Sequence, residues 1–244
     1  MGFSLVVAFG VLTFVSTFIG GLVSLRFKNR LYLIMGFTSG VLLGVVAFDI
    51  LPEIISLVGE LKVDPVQPMV ALVAGFLVFH IAEKLLLIHH GHEESYVPHK
   101  HPTVGVLSAL ALSGHSFLDG VGIGLGFQVS EGVGILIALA VISHDFSDGL
   151  NTVSLVLTHK GVKKTALRML LLDAIAPVIG VLSTLFFTLP NGMLLLYLGF
   201  FAGFLLYVGA SDILPEAHSQ HSSVKTILLT ILGALLIYLV SRVV

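Results

Sequence analysis

The sequence predicts an all-α membrane protein: eight transmembrane helices in a single domain, arranged as a 3+2+3 inverted repeat with both termini outside. Three observations favour this fold class. The 244 residues are 56% hydrophobic and only 11% charged, with a mean hydropathy of +1.07, whereas a soluble domain carries about 25% charged residues. Eight long apolar segments are joined by short polar connectors, and one motif occurs in two of these segments.

Each apolar segment is long enough to cross a hydrocarbon core of about 30 Å, which takes about 20 helical residues. Spans of this kind must be helices, because an open strand would leave backbone groups unsatisfied in lipid. The predicted spans lie near residues 3–25, 31–57, 66–90, 103–127, 131–157, 165–188, 192–215 and 224–243.

Basic residues indicate the orientation of the spans. The first segment has no basic residue before its apolar run and no convincing cleavage site, so it is predicted to be a span and not a signal peptide. With the N-terminus outside, only Lys62 and Arg242 of the 12 basic residues lie on the outer side. This bias agrees with the positive-inside rule, and an even number of spans places the C-terminus outside as well.

The ends of spans two and seven repeat each other. "GFTSGVLLGVVAFDILPE" covers residues 36–53 and "GFFAGFLLYVGASDILPE" covers residues 199–216, with a constant offset of 163. The two spans differ by an odd number of crossings, so they run antiparallel. This pattern indicates an inverted repeat, which is common among secondary transporters. Spans 1–3 and 6–8 would be the related halves, with spans 4 and 5 between them.

Each copy of this motif carries two carboxylates one helical turn apart. Asp49 precedes Glu53, and Asp212 precedes Glu216. The proline between them removes a backbone hydrogen bond and can bend the helix. We expect two such bent, acidic helix ends to form mouths of a cation pathway.

Spans four and five contain two copies of a polar pattern, "HSFLDG" at residues 115–120 and "HDFSDG" at residues 144–149. The histidine and the last aspartate of each copy are four residues apart, so they share one face of a helix. Two such faces opposed would form a cage of donor groups. The candidate donors are His115, Ser116, Asp119, His144, Asp145 and Asp148.

These donors suit a divalent cation, because imidazole favours Zn²⁺ and Fe²⁺ while carboxylates tolerate Mn²⁺. A charged side chain at mid-bilayer costs about 2.5–3.5 kcal/mol on insertion scales, and binding a cation offsets that cost. The alternative is a buried, protonated hydrogen-bond network that joins the helices. On span six, Asp173 either completes the cage or makes an inward-facing helix contact.

The connector between spans three and four, "HHGHEESYVPHKH" at residues 89–101, holds five of the 11 histidines. This composition is typical of a mobile metal-binding loop, and a solvated or acid-sensing loop is the alternative. The sequence has no cysteine, which excludes disulfides and thiolate ligands. Its formal net charge of −2 gives no indication of nucleic-acid binding.

Together these features resemble the ZIP (Zrt/Irt-like protein) family of divalent-metal transporters. "HSFLDG" and "HDFSDG" are similar to the family's His-x-x-x-Glu-Gly signatures, and the two "DILPE" segments resemble its acidic endings of spans two and seven. The resemblance implies import of Zn²⁺, Fe²⁺, Mn²⁺ or Cd²⁺ into the cytoplasm by an elevator-like motion without ATP hydrolysis. The metal would be the substrate, with no cofactor. The resemblance also implies a multi-pass protein embedded in membrane lipid, and we expect it in the plasma (inner) membrane. Homodimers are common in the family.

The resemblance also implies roles for individual residues. The six cage residues would line a binuclear mid-membrane site, and Asp49 would lie at the outer entrance. The inner exit route would include Asp212, Glu216, His218 and His221.

The sequence departs from the family pattern in three places. Leu118 and Ser147 stand where the family often has proline, and the acid of each motif is aspartate instead of glutamate. On span six Ala176 replaces the glutamate that usually precedes proline, and Asp173 lies a turn earlier. Two other functions compete with import: metal export, and a membrane-embedded hydrolase that activates water on zinc.

Overall fold

The computed structural model describes residues 2–25, 31–91, 102–158, 161–219 and 223–242. The secondary structure within these ranges is helical, without a strand. The helices are α1 (Gly2–Ser24), α2 (Leu31–Val45), α3 (Leu51–Leu61), α4 (Val66–Gly91), α5 (Pro102–Val129), α6 (Glu131–Thr158), α7 (Lys163–Ser183), α8 (Asn191–Leu206), α9 (Leu214–Ser219) and α10 (Val224–Val240).

Six helical stretches among the described residues are long and apolar enough to cross a membrane. They correspond to predicted spans one, two and four to seven. Predicted spans three and eight coincide with shorter apolar stretches, Val66–Ala82 and Val224–Val240. The chain is therefore an all-helical protein with several membrane-spanning helices.

Two π-helical turns interrupt otherwise continuous helices. Val46–Ile50 joins α2 to α3, and Tyr207–Ile213 joins α8 to α9. The closing leucine of each turn donates its N–H five residues back, Leu51 to the Val46 carbonyl and Leu214 to the Gly209 carbonyl. The proline of each "DILPE" motif comes next. Because proline lacks an N–H and its ring collides with the carbonyl four residues back, a wider turn accommodates it while the helix continues.

Helix packing forms two groups. In the first group α5 packs along α7 and α6, and α1 packs along α6 and α7. In the second group α2 packs along α10, and α4 packs along α8. The apolar core, which includes Leu42, Ile137, Phe201 and Leu205, lies where helices of the two groups meet.

Close backbone contacts hold the first group together. A Cβ added at Gly120 of α5 would collide with the carbonyl oxygen of Pro177 on α7, and one added at Gly149 of α6 would collide with the carbonyl oxygen of Thr17 on α1. These two glycines end the "HSFLDG" and "HDFSDG" motifs. Small residues allow helix backbones to approach closely in membranes, so each motif pairs its polar residues with a close helix crossing.

One side chain fastens the connection that follows α7. Gln128, near the end of α5, donates from Nε2 to the carbonyl oxygens of Thr184 at 3.2 Å and Phe187 at 2.8 Å. Its Oε1 accepts from the backbone N–H of Leu189 at 3.0 Å. The amide therefore joins the end of α5 to the segment between α7 and α8.

We expect Gln128→Ala to lower the free energy of unfolding by about 1–3 kcal/mol, because it leaves backbone groups without their partners. The measurement is the thermal unfolding midpoint of the purified protein in detergent. Gln128→Glu replaces the donor with a carboxylate oxygen that faces the carbonyl oxygens of Thr184 and Phe187, so it should lower the midpoint at least as much as alanine does. An unchanged midpoint in Gln128→Ala would show that the amide contributes nothing.

Candidate metal centre

Four polar side chains from α5 and α6 meet among the apolar helices. Nε2 of His115 lies 3.2 Å from Oδ2 of Asp119 and 3.6 Å from Oδ2 of Asp148. Nε2 of His144 lies 3.3 Å from the same Asp119 oxygen and 3.8 Å from the same Asp148 oxygen. One donor atom from each of the four residues lies within 4.8 Å of every other. The two helix faces predicted from the sequence therefore oppose each other.

Burial and lack of partners distinguish this cluster from an ordinary hydrogen-bond network. The side chains of Asp119 and His144 are 0% exposed, and that of His115 is 14% exposed. Nε2 of both histidines and both carboxylate oxygens of Asp119 are buried without a hydrogen-bond partner. Buried charges are normally paired or bound to a metal. These four atoms have no hydrogen-bond partner among the described residues. A cation bound at their centre would be the partner that they lack.

Hydrogen bonding on the far side of one imidazole orients it toward the cluster. Nδ1 of His144 lies 3.0 Å from the carbonyl oxygen of Ala140, one turn earlier on α6. A carbonyl can only accept, so Nδ1 carries a proton, and in the neutral imidazole Nε2 presents a lone pair to the cluster. Metal-binding histidines usually have such a second partner, which fixes the tautomer and the ring orientation.

Neighbouring helices support the backbone of α6 just before His144. Ser16 of α1 donates to the carbonyl oxygen of Ile142 at 2.7 Å, and Thr38 of α2 donates to the carbonyl oxygen of Ser143 at 3.1 Å. The first bond lies within the first group of helices, and the second crosses from α2 to α6 between the two groups at the level of the cluster.

Asp145 lies beside the cluster. Its Oδ1 is 3.8 Å from Nε2 of His144. The residue is fully buried, and both carboxylate oxygens lack a hydrogen-bond partner. Asp145 is thus a buried carboxylate beside His144, although it is not one of the four donors that lie within 4.8 Å of one another.

Ser116, one of the predicted cage residues, and Asp173, which the sequence suggested could complete the cage, are hydrogen-bonded to each other. The hydroxyl of Ser116 donates to Oδ1 of Asp173 at 2.8 Å. Oδ2 of Asp173 accepts from the hydroxyl of Thr152, also at 2.8 Å. These two bonds are helix contacts of the kind considered for Asp173 from the sequence, and its part in the cage stays a prediction. Thr152 was missed in the sequence, although it lies one turn after Asp148 on the same face of α6.

Aromatic side chains of the second group of helices cover His115. The ring of Phe204 on α8 lies 4.8 Å from the His115 ring in an edge-on arrangement, and that of Phe79 on α4 lies at 6.1 Å. The two phenylalanine rings are 4.1 Å apart. Sequence reasoning missed this cover, because an aromatic residue in an apolar span looks the same whether it faces lipid or a site.

Two further predicted residues, Asp49 and His218, are not among the donors that come within 4.8 Å of one another. Asp49 is on the first π-helical turn, partly buried, with Oδ2 lacking a hydrogen-bond partner. His218 on α9 donates from Nδ1 to the carbonyl oxygen of Leu214 at 2.9 Å. The side chains of Asp212 and Glu216, the whole of His221 and residues 92–101 of the histidine-rich connector lie outside what the structure describes.

The donor set fits a divalent cation. Zn²⁺ binds imidazole nitrogen and carboxylate oxygen at about 2.0–2.2 Å in a tetrahedron, so neighbouring donors should be about 3.3 Å apart. The closest donor pairs of the cluster, at 3.2 Å and 3.3 Å, match this spacing.

The fold and the cluster define a multi-pass helical membrane protein with a buried His/Asp centre. A family model described as ZIP Zinc transporter matches residues 88–241, a segment that includes α5 to α10 and therefore every residue of the centre. The chain belongs to the ZIP zinc transporter family, as its motifs suggested. Membership implies divalent-metal transport, with the metal as transported substrate and not as the cofactor of an enzyme. None of the curated proteins compared with the chain matches it.

Proposed function

We propose that the protein imports Zn²⁺ into the cytoplasm through a mid-membrane site formed by His115, Asp119, His144 and Asp148. The observation that carries this proposal is the set of four buried donors within 4.8 Å of one another in a chain of the ZIP family. Two imidazoles favour Zn²⁺ and Fe²⁺ over harder ions such as Mn²⁺, and the two closest donor pairs, at 3.2 Å and 3.3 Å, have a spacing compatible with Zn²⁺.

The proposed architecture has eight spans in an inverted repeat, with both termini outside. Support comes from the paired π-helical turns, whose closing hydrogen bonds occur at positions 163 residues apart, Leu51 to Val46 and Leu214 to Gly209. Gly40 and Gly203 are separated by the same offset. A Cβ on either would collide with a backbone carbonyl of a neighbouring helix, that of Thr230 on α10 or that of Leu72 on α4.

Alternating access follows from the two groups of helices. We propose that α1, α5, α6 and α7 carry the bound ion past α2, α4, α8 and α10 in an elevator-like motion. The packing supports this division, because the most extensive helix contacts run within each group. The site itself is on α5 and α6, so it would move with the first group.

Other predicted residues would line the route of the ion. We place Asp49 at the outer entrance, and Asp145 as a further donor beside the central four. Asp212, Glu216, His218 and His221 would line the inner exit. The protein would act in the plasma membrane.

The test is zinc flux into proteoliposomes loaded with a zinc-sensitive dye. We expect wild type to admit Zn²⁺, and His144→Ala/Asp148→Ala and His115→Ala to show the rate of protein-free vesicles, because each variant removes donors from the shell. Asp64→Asn is the control, since the side chain of Asp64 is exposed and accepts the N–H of Val66 at the start of α4, a bond that asparagine can also accept.

Each outcome has a distinct meaning. Wild-type flux in His144→Ala/Asp148→Ala would contradict the site. Flux of Fe²⁺ or Mn²⁺ without Zn²⁺ would contradict the choice of metal alone. Zinc flux that proceeds only from the inner to the outer side in vesicles of known orientation would favour export.

A further inference from the structure

Asp173 occupies an unusual position for a carboxylate. It is 0% exposed on α7, and each of its oxygens accepts one hydroxyl, from Ser116 on α5 and from Thr152 on α6. Its single side chain therefore joins three helices. Ser116 directly follows His115, and Thr152 lies one turn after Asp148, so both bonds attach within one turn of a proposed zinc donor.

The alternative role, as a zinc ligand, fits the geometry less well. The group of donors within 4.8 Å of one another does not include Asp173. Both of its oxygens already accept hydrogen bonds of 2.8 Å, whereas the oxygens of Asp119 and Asp145 accept none. Ligation by Asp173 would require at least one of these bonds to break, while unpartnered oxygens are available closer to the histidines.

We infer that Asp173 is a positioning residue that clamps α5 and α6 through Ser116 and Thr152 and so sets the spacing of the zinc donors, without binding the ion itself. This inference rests on the proposed function. The two hydroxyl bonds fix how α5 and α6 are rotated and placed relative to α7. Because the donors come from both helices, a small rotation of either one separates His115 and Asp119 from His144 and Asp148.

Substitutions of residue 173 can distinguish a clamp from a ligand, because the two roles require different chemistry of its side chain. A clamp needs two hydrogen-bonding atoms. Asparagine supplies them, since its oxygen accepts one hydroxyl and its amide donates to the other hydroxyl oxygen; Ser116 can then still donate to the carbonyl oxygen of Leu112. A ligand needs the carboxylate charge, which asparagine lacks.

The experiment measures equilibrium Zn²⁺ binding to the detergent-purified full chain. Affinity should fall about 10–100-fold in Asp173→Ala, the range typical of outer-shell changes, and only a few-fold in Asp173→Asn. Ser116→Ala/Thr152→Val should lose affinity as Asp173→Ala does, and adding Asp173→Ala to it should cost no more, because the three residues act as one unit. Equal losses of zinc affinity in Asp173→Asn and Asp173→Ala would overturn the clamp. A further loss of affinity when Asp173→Ala is added to Ser116→Ala/Thr152→Val would overturn it as well.

Matched controls and a folding readout complete the test. Ser113→Ala removes a buried hydroxyl from the same helix, but that hydroxyl bonds only the Ala109 carbonyl within α5; Thr13→Val is the equivalent on α1. Neither should change zinc affinity.

Variants are compared only where their size-exclusion profile and helix content match those of wild type. If Asp173→Ala does not fold, the single variant Ser116→Ala tests the clamp in its place. If wild type binds no zinc, or His144→Ala/Asp148→Ala binds it normally, the proposed site fails, whichever way the Asp173 variants behave.

Discussion

We expect Asp119→Asn to abolish zinc flux and lower zinc affinity by more than about 100-fold, since even outer-shell changes cost 10–100-fold. Asp119 is the donor that both histidines share, with one oxygen 3.2 Å from Nε2 of His115 and 3.3 Å from Nε2 of His144. Asparagine keeps the size of the side chain but removes the charge. The shell then loses the carboxylate that connects its two halves.

The same substitution should leave the metal-free protein at least as stable as wild type. Asp119 is 0% exposed and its oxygens accept no hydrogen bond, and an uncompensated carboxylate in such a place opposes folding. Zinc at 100 times its dissociation constant should stabilise wild type by about 2.7 kcal/mol, a rise of about 5–10 °C in the unfolding midpoint. Asp119→Asn should show no rise.

Thermal unfolding of the detergent-purified protein with and without Zn²⁺, together with proteoliposome flux, measures both effects. Asp64→Asn makes the same chemical change at an exposed position and should keep the full zinc-induced shift. A zinc-dependent midpoint in Asp119→Asn equal to that of wild type would remove Asp119 from the shell. A large loss of metal-free stability would instead assign it a structural role.

The second large effect is expected from a single methyl group at Gly120. In Gly120→Ala the new Cβ would collide with backbone atoms of Pro177, including its carbonyl oxygen. Backbone cannot rotate away as a side chain can, so α5 and α7 must separate. That separation also breaks the bond from Ser116 to Asp173. We expect a loss of about 1–3 kcal/mol, typical of overpacking, and flux reduced to background.

A control is available six residues earlier on the same helix. Gly114 has no neighbouring atom within 4 Å of an added Cβ, although it directly precedes His115. Gly114→Ala should therefore fold normally, gain slightly from the better helix propensity of alanine, and transport zinc within about twofold of wild type by the same flux assay. Equal behaviour of the two variants, in either direction, would refute the packing argument.

The sequence predicted the polar centre through helical periodicity. A histidine and an aspartate four residues apart must share a face, and the two faces meet with Nε2 of His144 3.3 Å from Oδ2 of Asp119. Composition likewise predicted a helical membrane protein. These features follow from local geometry and from transfer of side chains into lipid, both of which can be evaluated from the chain alone.

Contacts between distant helices could not be predicted in this way. Ser116 and Asp173 are 57 residues apart, and whether they meet depends on how α5 and α7 rotate about their axes. Extending the face of His144 and Asp148 by one more turn would have drawn attention to Thr152, although not to its partner. The π-helical turns could not be predicted either, because a proline inside a helix is compatible with a kink, a break or a wider turn.

The hydrogen bond between His144 and the Ala140 carbonyl has a consequence for conformational entropy. Fixing a side-chain rotamer costs free energy whenever it happens, and here it happens when the protein folds. The imidazole therefore meets an arriving ion with its orientation and tautomer already set, and it keeps them when the ion leaves. Capture at this nitrogen therefore needs no side-chain rearrangement, and the lower entropy cost of binding favours affinity for the ion.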